Sequence, residues 1–192
     1  MTTGPSTDGP LIEALRSAQR LGVIGEQNLS AAIGHARLYV DRLHDLASGS
    51  RVCDLGSGGG LPGLVIAWDR PDLDIMLIDR RQKRTDLLQV LVGRLDRRHC
   101  VSVRCGDVMN LVGDVGAGVV PPMAAVTARS FGPPDVTLGM ARQLVTPAGR
   151  IVISDPPDGG ERWGSELLDG LGLVRSTAGD ATHHLSEFRV QQ

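Results

Sequence analysis

The sequence predicts an α/β protein with a seven-stranded, mostly parallel sheet and helices on both faces. Two observations favour this fold class. Short runs rich in Val, Ile and Leu alternate with longer runs of helical spacing, which is typical of parallel strands joined by crossover helices. The first predicted strand leads through a glycine-rich turn at residues 56–63 into a helix. In such sheets the ligand lies beyond the carboxyl ends of the strands.

The N-terminal part is predicted to form a separate helical segment. Residues 1–10 are rich in Gly, Pro, Ser and Thr, so we expect a disordered tail there. Residues 11–20 and 27–47 carry apolar side chains at helical spacing, which predicts a helical segment at residues 11–48. Residues 49–192 then form the predicted ligand-binding domain.

From residue 49 onward, predicted strands and helices alternate. Short apolar runs predict the strands, and Gly or Pro residues separate them from the helices. Pro62 suits the first turn of a helix, because its missing N–H is no loss at that position. The predicted order is strand 51–55, helix 61–68, strand 74–79, helix 82–95, strand 100–105, strand 124–129, helix 134–144 and strand 150–154. Two further strands, near residues 172–176 and 185–190, complete the sheet.

Length and composition fit one domain whose core is built from Leu, Val, Ile and Ala, since aromatic residues make up only 3% of the 192. No apolar run approaches the roughly 18 residues of a membrane span, and no signal-peptide core is present. The three cysteines, Cys53, Cys100 and Cys105, lack metal-ligand spacing, and so do the five histidines. We therefore expect a cytoplasmic protein with reduced core cysteines, no metal site and no membrane partner.

Basic residues are concentrated in one stretch, although the net charge of −2 argues against nonspecific coating of nucleic acid. The first group follows the second predicted strand and consists of Arg80, Arg81, Lys83 and Arg84. A second group comes shortly after and consists of Arg94, Arg97, Arg98 and Arg104. Two interpretations are open: a solvated helix face, or a phosphate-binding patch beside the ligand cleft.

The glycine-rich turn is compatible with two classes of cofactor. From Gly58 it spells Gly-x-Gly-x-x-Gly, the dinucleotide fingerprint. From Asp54 it spells Asp-x-Gly-x-Gly-x-Gly, which resembles motif I of the class I S-adenosylmethionine (SAM) methyltransferases. Asp79 ends the second predicted strand and suits the ribose of either cofactor. The turn favours SAM, and an NAD-linked dehydrogenase lacks its Tyr–Lys pair because Tyr39 is the only tyrosine. A glycine turn without a ligand is the third possibility.

Four segments share their order and spacing with one protein family. Residues 54–63 carry Leu-Pro-Gly after the glycines, and residues 77–84 carry an acid followed by a Lys-Arg pair. Residues 104–107 and 127–131 match an adenine-binding turn and a Ser-Arg-Ala segment. Together they resemble the bacterial guanine-N7 methyltransferases of small-subunit ribosomal RNA, the RsmG or GidB family. The resemblance implies a class I SAM-methyltransferase fold of the Rossmann-like type.

The resemblance also implies a cofactor site for SAM. Its candidate residues are Gly56, Ser57, Gly58, Leu61, Asp79, Gly106, Asp107 and Arg129. The first four would line the methionine end and the helix start, Asp79 would hold the ribose, and Gly106 with Asp107 would meet the adenine. Simpler roles remain open: Asp79 as a helix cap, Asp107 as a turn residue and Arg129 as a surface ion-pair partner.

The implied reaction is methyl transfer to guanine N7 in small-subunit (16S) ribosomal RNA or a ribosomal particle. N7 has an in-plane lone pair and no proton, so its attack on a sulfonium methyl needs no general base. Holding the reactants in line supplies much of the rate. Arg129 and Lys83 are the candidate catalytic residues, which would grip phosphate oxygens near the reacting purine. No metal is implied.

Three positions depart from the family pattern. Asn28 begins only a remnant of the family's Asn-Leu-Thr sequence, and Leu38 stands in place of a histidine. Asp155 follows the fifth predicted strand, where many members have a basic residue, so an anion there would oppose a phosphate grip. Two alternatives therefore stay open: a diverged SAM-dependent methyltransferase with a small-molecule substrate, and a SAM-binding protein without catalytic activity.

Overall fold

The computed structural model describes residues 8–155, 163–176 and 185–191, which contain seven strands and seven helices. The strands are β1 (Arg51–Leu55), β2 (Asp74–Asp79), β3 (Val101–Cys105), β4 (Met123–Ala128), β5 (Val145–Ser154), β6 (Leu173–Arg175) and β7 (Leu185–Val190). The helices are α1 (Gly9–Arg20), α2 (Leu29–Arg42), α3 (Gly63–Asp69), α4 (Gln82–Arg94), α5 (Val108–Gly116), α6 (Pro134–Leu144) and α7 (Ser165–Leu171). The α1–α2 loop comprises residues 21–28.

All seven strands form one sheet in the order β3-β2-β1-β4-β5-β7-β6. The first five pair in parallel, and β7 runs antiparallel to both β5 and β6. The predicted α/β fold with a mostly parallel sheet is therefore confirmed. The strand order reverses between β1 and β4, and in open α/β sheets a ligand binds in the crevice at such a reversal.

Two apolar layers cover the two faces of the sheet. Helices α1 to α4 pack on one face, and α5, α6 and α7 pack on the other. Tyr39 of α2 is fully buried in the first layer, and its Oη donates to the backbone carbonyl of Ala128 at 3.1 Å. In the second layer the rings of Trp163 and Phe188 meet edge to face at 5.0 Å. The Tyr39 contact ties the N-terminal helices to the carboxyl end of β4.

The helices α5 and α7 were not predicted. Helix α5 contains Gly113 and Gly116, and α7 contains Gly170, and glycine is among the weakest helix formers. No residue of α7 is fully buried, which agrees with a sequence that lacks a clear apolar stripe. Both helices therefore depend on their packing against the sheet more than on local preference.

Two further predictions differ from the structure. The predicted tail at residues 1–10 lies mostly outside the described residues, but Asp8 pairs with Arg37 at 2.7 Å and α1 begins at Gly9. Cys53 and Cys100 are buried as expected, whereas Cys105 is exposed because β3 is the edge strand. None of the described helices is both long and apolar enough to cross a membrane.

Candidate functional site

The glycine-rich loop leaves β1 and enters α3 through closely packed backbone. Gly56, Gly58 and Gly60 have positive φ angles of 64°, 54° and 102°, a region that favours glycine. A Cβ at Gly60 would also lie 2.3 Å from Cδ1 of Leu64. Ser57 is buried and its Oγ donates to the carbonyl of Asp54 at 2.8 Å. The loop is therefore held in one shape by contacts that exclude larger side chains.

Asp54 lies beneath this loop and is almost completely buried. One carboxylate oxygen, Oδ1, accepts from Oγ1 of Thr127 at 2.8 Å. Burial raises the pKa of Asp54 to about 6, and hydrogen bonds from Thr127 and Ser57 partly oppose that rise. A Cβ at Gly63 would lie 2.7 Å from the other oxygen, Oδ2. Asp54 thus supports the loop from inside.

Asp79 joins the end of β2 to the glycine-rich loop. Its Oδ2 accepts from the backbone N–H of Gly58 at 3.0 Å, and its Oδ1 accepts from that of Arg81 at 2.9 Å. The guanidinium of Arg84 also lies 3.3 Å from Oδ2. Asp79 does not cap α4, because the N-cap residue of that helix is Arg81, whose side chain makes no capping hydrogen bond; the bond to Arg81 closes a turn before the helix. Three donors leave about one of the four acceptor positions of the carboxylate for a ligand.

A cavity of about 470 Å³ opens at the carboxyl ends of the first strands. It brings together four of the predicted cofactor residues, Gly56, Asp79, Gly106 and Asp107. A Cβ at Gly106 would meet no atom within 4 Å, so the floor of the cavity is open there. Asp107 caps α5 by accepting from the backbone N–H of Met109 at 2.9 Å. The volume lies in the range of roughly 300–1,000 Å³ that small-molecule sites occupy.

Phe131 is a cavity residue to which the sequence assigned no role. Its Cδ2 atom lies 2.8 Å from the position of a Cβ on Gly56, so the ring can lie there only because residue 56 is glycine. Val136 and Met140 of α6 complete an apolar wall. The sequence signal for Phe131 is its position two residues after the predicted strand that ends at Arg129.

Five predicted site residues are not among those that line this cavity, and one of them, Gly58, is bound through its N–H to Asp79. Leu61 is packed in the apolar core, and Ser57 is buried under the loop. Lys83 is exposed on α4 and does not line the cavity. Arg129 lies toward the α1–α2 loop, where its Nη2 is 3.4 Å from Oε1 of Gln27.

The structure separates the two groups of basic residues. Arg80, Arg81 and Arg84 line the cavity. In the second group, the guanidinium of Arg97 stacks on a tryptophan ring at 4.8 Å and Arg104 pairs with an aspartate of α5 at 2.5 Å. Arg97 and Arg104 therefore contribute to local packing, and Arg84 pairs with Asp79, whereas Arg80 and Arg81 are the cavity arginines that we expect to bind an anion.

Asp155 follows β5, as the sequence predicts, and its carboxylate is bound by neighbouring side chains. Its Oδ1 accepts from Nε1 of Trp163 at 2.7 Å, and its Oδ2 accepts from Oγ of Ser186 at 2.6 Å. Arg175 lies 3.7 Å from Oδ2. The carboxylate thus joins the end of β5 to β7, and its effect on a substrate phosphate stays a prediction.

Within residues 8–155, 163–176 and 185–191, no three His, Cys, Asp or Glu side chains are grouped so that they could hold a metal ion.

Sequence comparison relates the chain to one family of enzymes. The family model described as "GidB: rRNA small subunit methyltransferase G" matches residues 26–154. Ribosomal RNA small subunit methyltransferase G of Salinispora tropica is 41% identical over 106 residues, which cover 54% of this chain and 43% of that protein. The protein of the same name from Sorangium cellulosum is 36% identical over 128 residues, which cover 66% and 50%. The chain therefore spans about half the length of the curated relatives it matches.

Solved structures share the fold at low sequence identity. The O-methyltransferase TomG from Streptomyces achromogenes, crystallised in complex with SAM, has a TM-score of 0.69 at 16% identity over 97% of this chain and 92% of its own. An O-methyltransferase from Bacillus cereus in complex with S-adenosylhomocysteine (SAH) has a TM-score of 0.67 at 13% identity, over 98% of this chain and 93% of its own. The seven-stranded sheet and its helices are thus the fold of class I SAM methyltransferases.

Proposed function

Because the chain belongs to the GidB family, rRNA small subunit methyltransferase G, we propose that it transfers a methyl group from SAM to guanine N7 in small-subunit ribosomal RNA. The observation that carries this proposal is the cavity in which the glycine-rich loop, Asp79 and Gly106 meet at the carboxyl ends of β1, β2 and β3. A ribosomal substrate also requires the cytoplasm, the location that we expect from the sequence.

The cavity residues fit an adenosyl ligand. Asp79 keeps an acceptor position for a ribose hydroxyl, since its three donors leave about one of four positions. Gly106 leaves room for a flat ring, and the carboxylate of Asp107 lies beside it to accept from an exocyclic amine. Phe131 and Met140 supply apolar surface opposite. These features support SAM as the cofactor.

Arg129 fits an anionic group near the same loop. Its Nη1 is buried and has no hydrogen-bond partner among the residues described. A buried donor without an acceptor is costly, so a ligand acceptor at this position would stabilise the bound state. The carboxylate of the methionine end of SAM is such an acceptor. A phosphate of the substrate is the alternative acceptor, because a guanidinium binds phosphate as well as carboxylate.

The chain's residues then act by positioning. SAM supplies a methyl group that is already activated on a sulfonium. Guanine N7 carries no proton, so no residue of the cavity is needed as a general base. Arg80 and Arg81 lie at the cavity and would bind a phosphate of the RNA. Holding N7 in line with the methyl group supplies the rate enhancement.

The test is transfer of labelled methyl to undermethylated small subunits, with the label mapped to a guanine N7. We expect transfer by the wild type and a loss with Asp79→Ala, which removes the ribose acceptor. In calorimetric titration, Asp79→Ala should weaken binding of SAH by about 10- to 100-fold. Asp86→Ala is the matched control, because Asp86 is an exposed α4 carboxylate that only accepts from Gln82. SAH binding without any transfer to subunits would contradict the ribosomal substrate.

A further inference from the structure

The α1–α2 loop packs directly on the glycine-rich loop. A Cβ at Gly59 would lie 2.3 Å from Cγ1 of Ile24, so the two segments are in close contact. Gln19 of α1 holds the α1–α2 loop from the other side, because its Nε2 donates to the carbonyls of Gly25 and Gln27 at 3.0 Å each. The position of Gln27 is therefore fixed relative to the cofactor site.

The side chain of Gln27 is directed at Arg129. Its Oε1 lies 3.4 Å from Nη2 of Arg129, which is 102 residues away in the sequence. The next residue, Asn28, caps α2 by accepting from the backbone N–H of Ala31 at 3.1 Å. The carbonyl of Gln27 is bound by Gln19, and the next residue caps a helix, so the backbone of Gln27 has little freedom. Gln27 can therefore hold one edge of the guanidinium in place.

The opposite edge of the guanidinium is unused. Nη1 of Arg129 is buried without a partner in the part of the chain that the structure describes. Burial raises the pKa of Asp54, and the charge of Arg129 partly opposes that rise. Ala128 pairs with Leu55, so Arg129 follows β4 beside the start of the glycine-rich loop, whose glycines are proposed to hold the methionine end of the cofactor.

We propose that Gln27 is a positioning residue for cofactor binding. By accepting from Nη2, it orients the guanidinium of Arg129 so that Nη1 faces the carboxylate of the methionine end. Gln27 acts only through Arg129. This inference rests on the proposed function, because it needs SAM as the ligand.

The experiment compares two ligands by calorimetric titration. SAH carries the amino acid group, whereas 5′-methylthioadenosine has the same adenosine and lacks that group. Gln27→Ala should weaken SAH binding about fivefold, the effect of losing one modest hydrogen bond. It should leave methylthioadenosine binding unchanged. In an Arg129→Ala background, Gln27→Ala should have no further effect on SAH binding, because the residue through which it acts is gone.

A second variant separates positioning from packing. Gln27→Met keeps the size of the side chain but removes the oxygen that accepts from Nη2 of Arg129. We expect it to weaken SAH binding as much as Gln27→Ala, whereas a packing role predicts wild-type affinity. Gln143 is the matched control, since it is exposed on α6 and its Nε2 donates to a carbonyl at 3.0 Å. Gln143→Ala and Gln143→Met should bind both ligands like the wild type.

Three results would overturn the inference: wild-type SAH affinity in both Gln27 variants, an equal loss for methylthioadenosine, or an undiminished loss in the Arg129→Ala background. In each case SAH still binds the wild type, and the proposed function stands. Failure of the wild type to bind SAH would instead contradict the proposed function, and this inference with it.

Discussion

At the scale of single residues, the glycine-rich loop contains a position at which a Cβ atom would overlap a neighbouring side chain. Gly60 combines a φ angle of +102° with a Cβ position 2.3 Å from Cδ1 of Leu64. We predict that Gly60→Ala lowers the free energy of unfolding by about 2–4 kcal/mol, since backbone strain and steric overlap add. Chemical denaturation followed by circular dichroism measures the change.

Gly118→Ala is the control for this variant. Gly118 has a φ angle of +72°, but a Cβ there would meet no atom within 4 Å. Its substitution should therefore cost only the backbone part, about 1–2 kcal/mol. Equal losses for the two variants would show that Leu64 contributes nothing to the requirement for glycine at residue 60.

The buried carboxylate of Asp54 predicts a dependence of stability on pH. Burial raises its pKa to about 6 in the folded protein, above its ordinary value of 3.8. The folded state then binds the proton more tightly, so the contribution of Asp54 is largest below about pH 4 and is lost as the pH rises through about 6. The loss amounts to about 3 kcal/mol. Denaturation of the wild type and Asp54→Asn at several pH values should show this difference between them, and parallel curves would contradict it.

Some site residues could be predicted from the sequence and others could not. Asp79 ends one predicted strand and Gly106 follows another. The ends of neighbouring parallel strands meet at one edge of a sheet, so the convergence of these residues could be predicted. The contact between Gln27 and Arg129 joins residues 102 apart. Such a contact depends on how two loops pack in space, and no local pattern encodes it.

At the scale of elements, Asp155 connects two strands that are far apart in the sequence. It follows β5, and its oxygens accept from Trp163 and from Ser186 of β7. We predict that Asp155→Lys lowers the free energy of unfolding by about 2–4 kcal/mol, because two buried donors lose their acceptor. The variant should not gain affinity for RNA.

Thermal unfolding and a filter-binding assay with small-subunit RNA measure the two effects of Asp155→Lys. Asp169→Lys on the exposed surface of α7 is the control for the added charge. A stable Asp155→Lys protein that binds RNA more tightly than Asp169→Lys would contradict this prediction. It would support the expectation from the sequence that Asp155 opposes a phosphate.

The helices that could be predicted have clear local signals. Helix α6 begins at Pro134 and ends at Leu144, both as predicted, because proline suits a first turn and apolar residues recur on its buried face. Helix α5 follows the cap residue Asp107, but its glycines weaken the helical preference that would reveal it. Sequence patterns therefore locate the elements that form the sheet and its main cover better than the short helices beside it.

At the scale of the whole molecule, a small net charge conceals an uneven distribution. The arginines at the start of α4 line the cavity, whereas Arg98 belongs to the second basic group. We predict that Arg81→Ala reduces the slope of log K against log salt for RNA binding by about 0.7–1, the value of one phosphate contact. Arg98→Ala should leave the slope unchanged. Equal slopes for Arg81→Ala and the wild type would remove Arg81 from the RNA-binding surface.

The contact between Gly59 and Ile24 has an evolutionary consequence. Since a Cβ at residue 59 would overlap the side chain of Ile24, a larger residue at 59 is compatible only with a smaller one at 24. The two positions should therefore vary together among relatives, with bulk at one excluding bulk at the other. The glycine-rich loop then limits which substitutions residue 24 tolerates, although a helix and a strand separate the two segments in the sequence. An alignment in which both positions are often large would contradict this coupling.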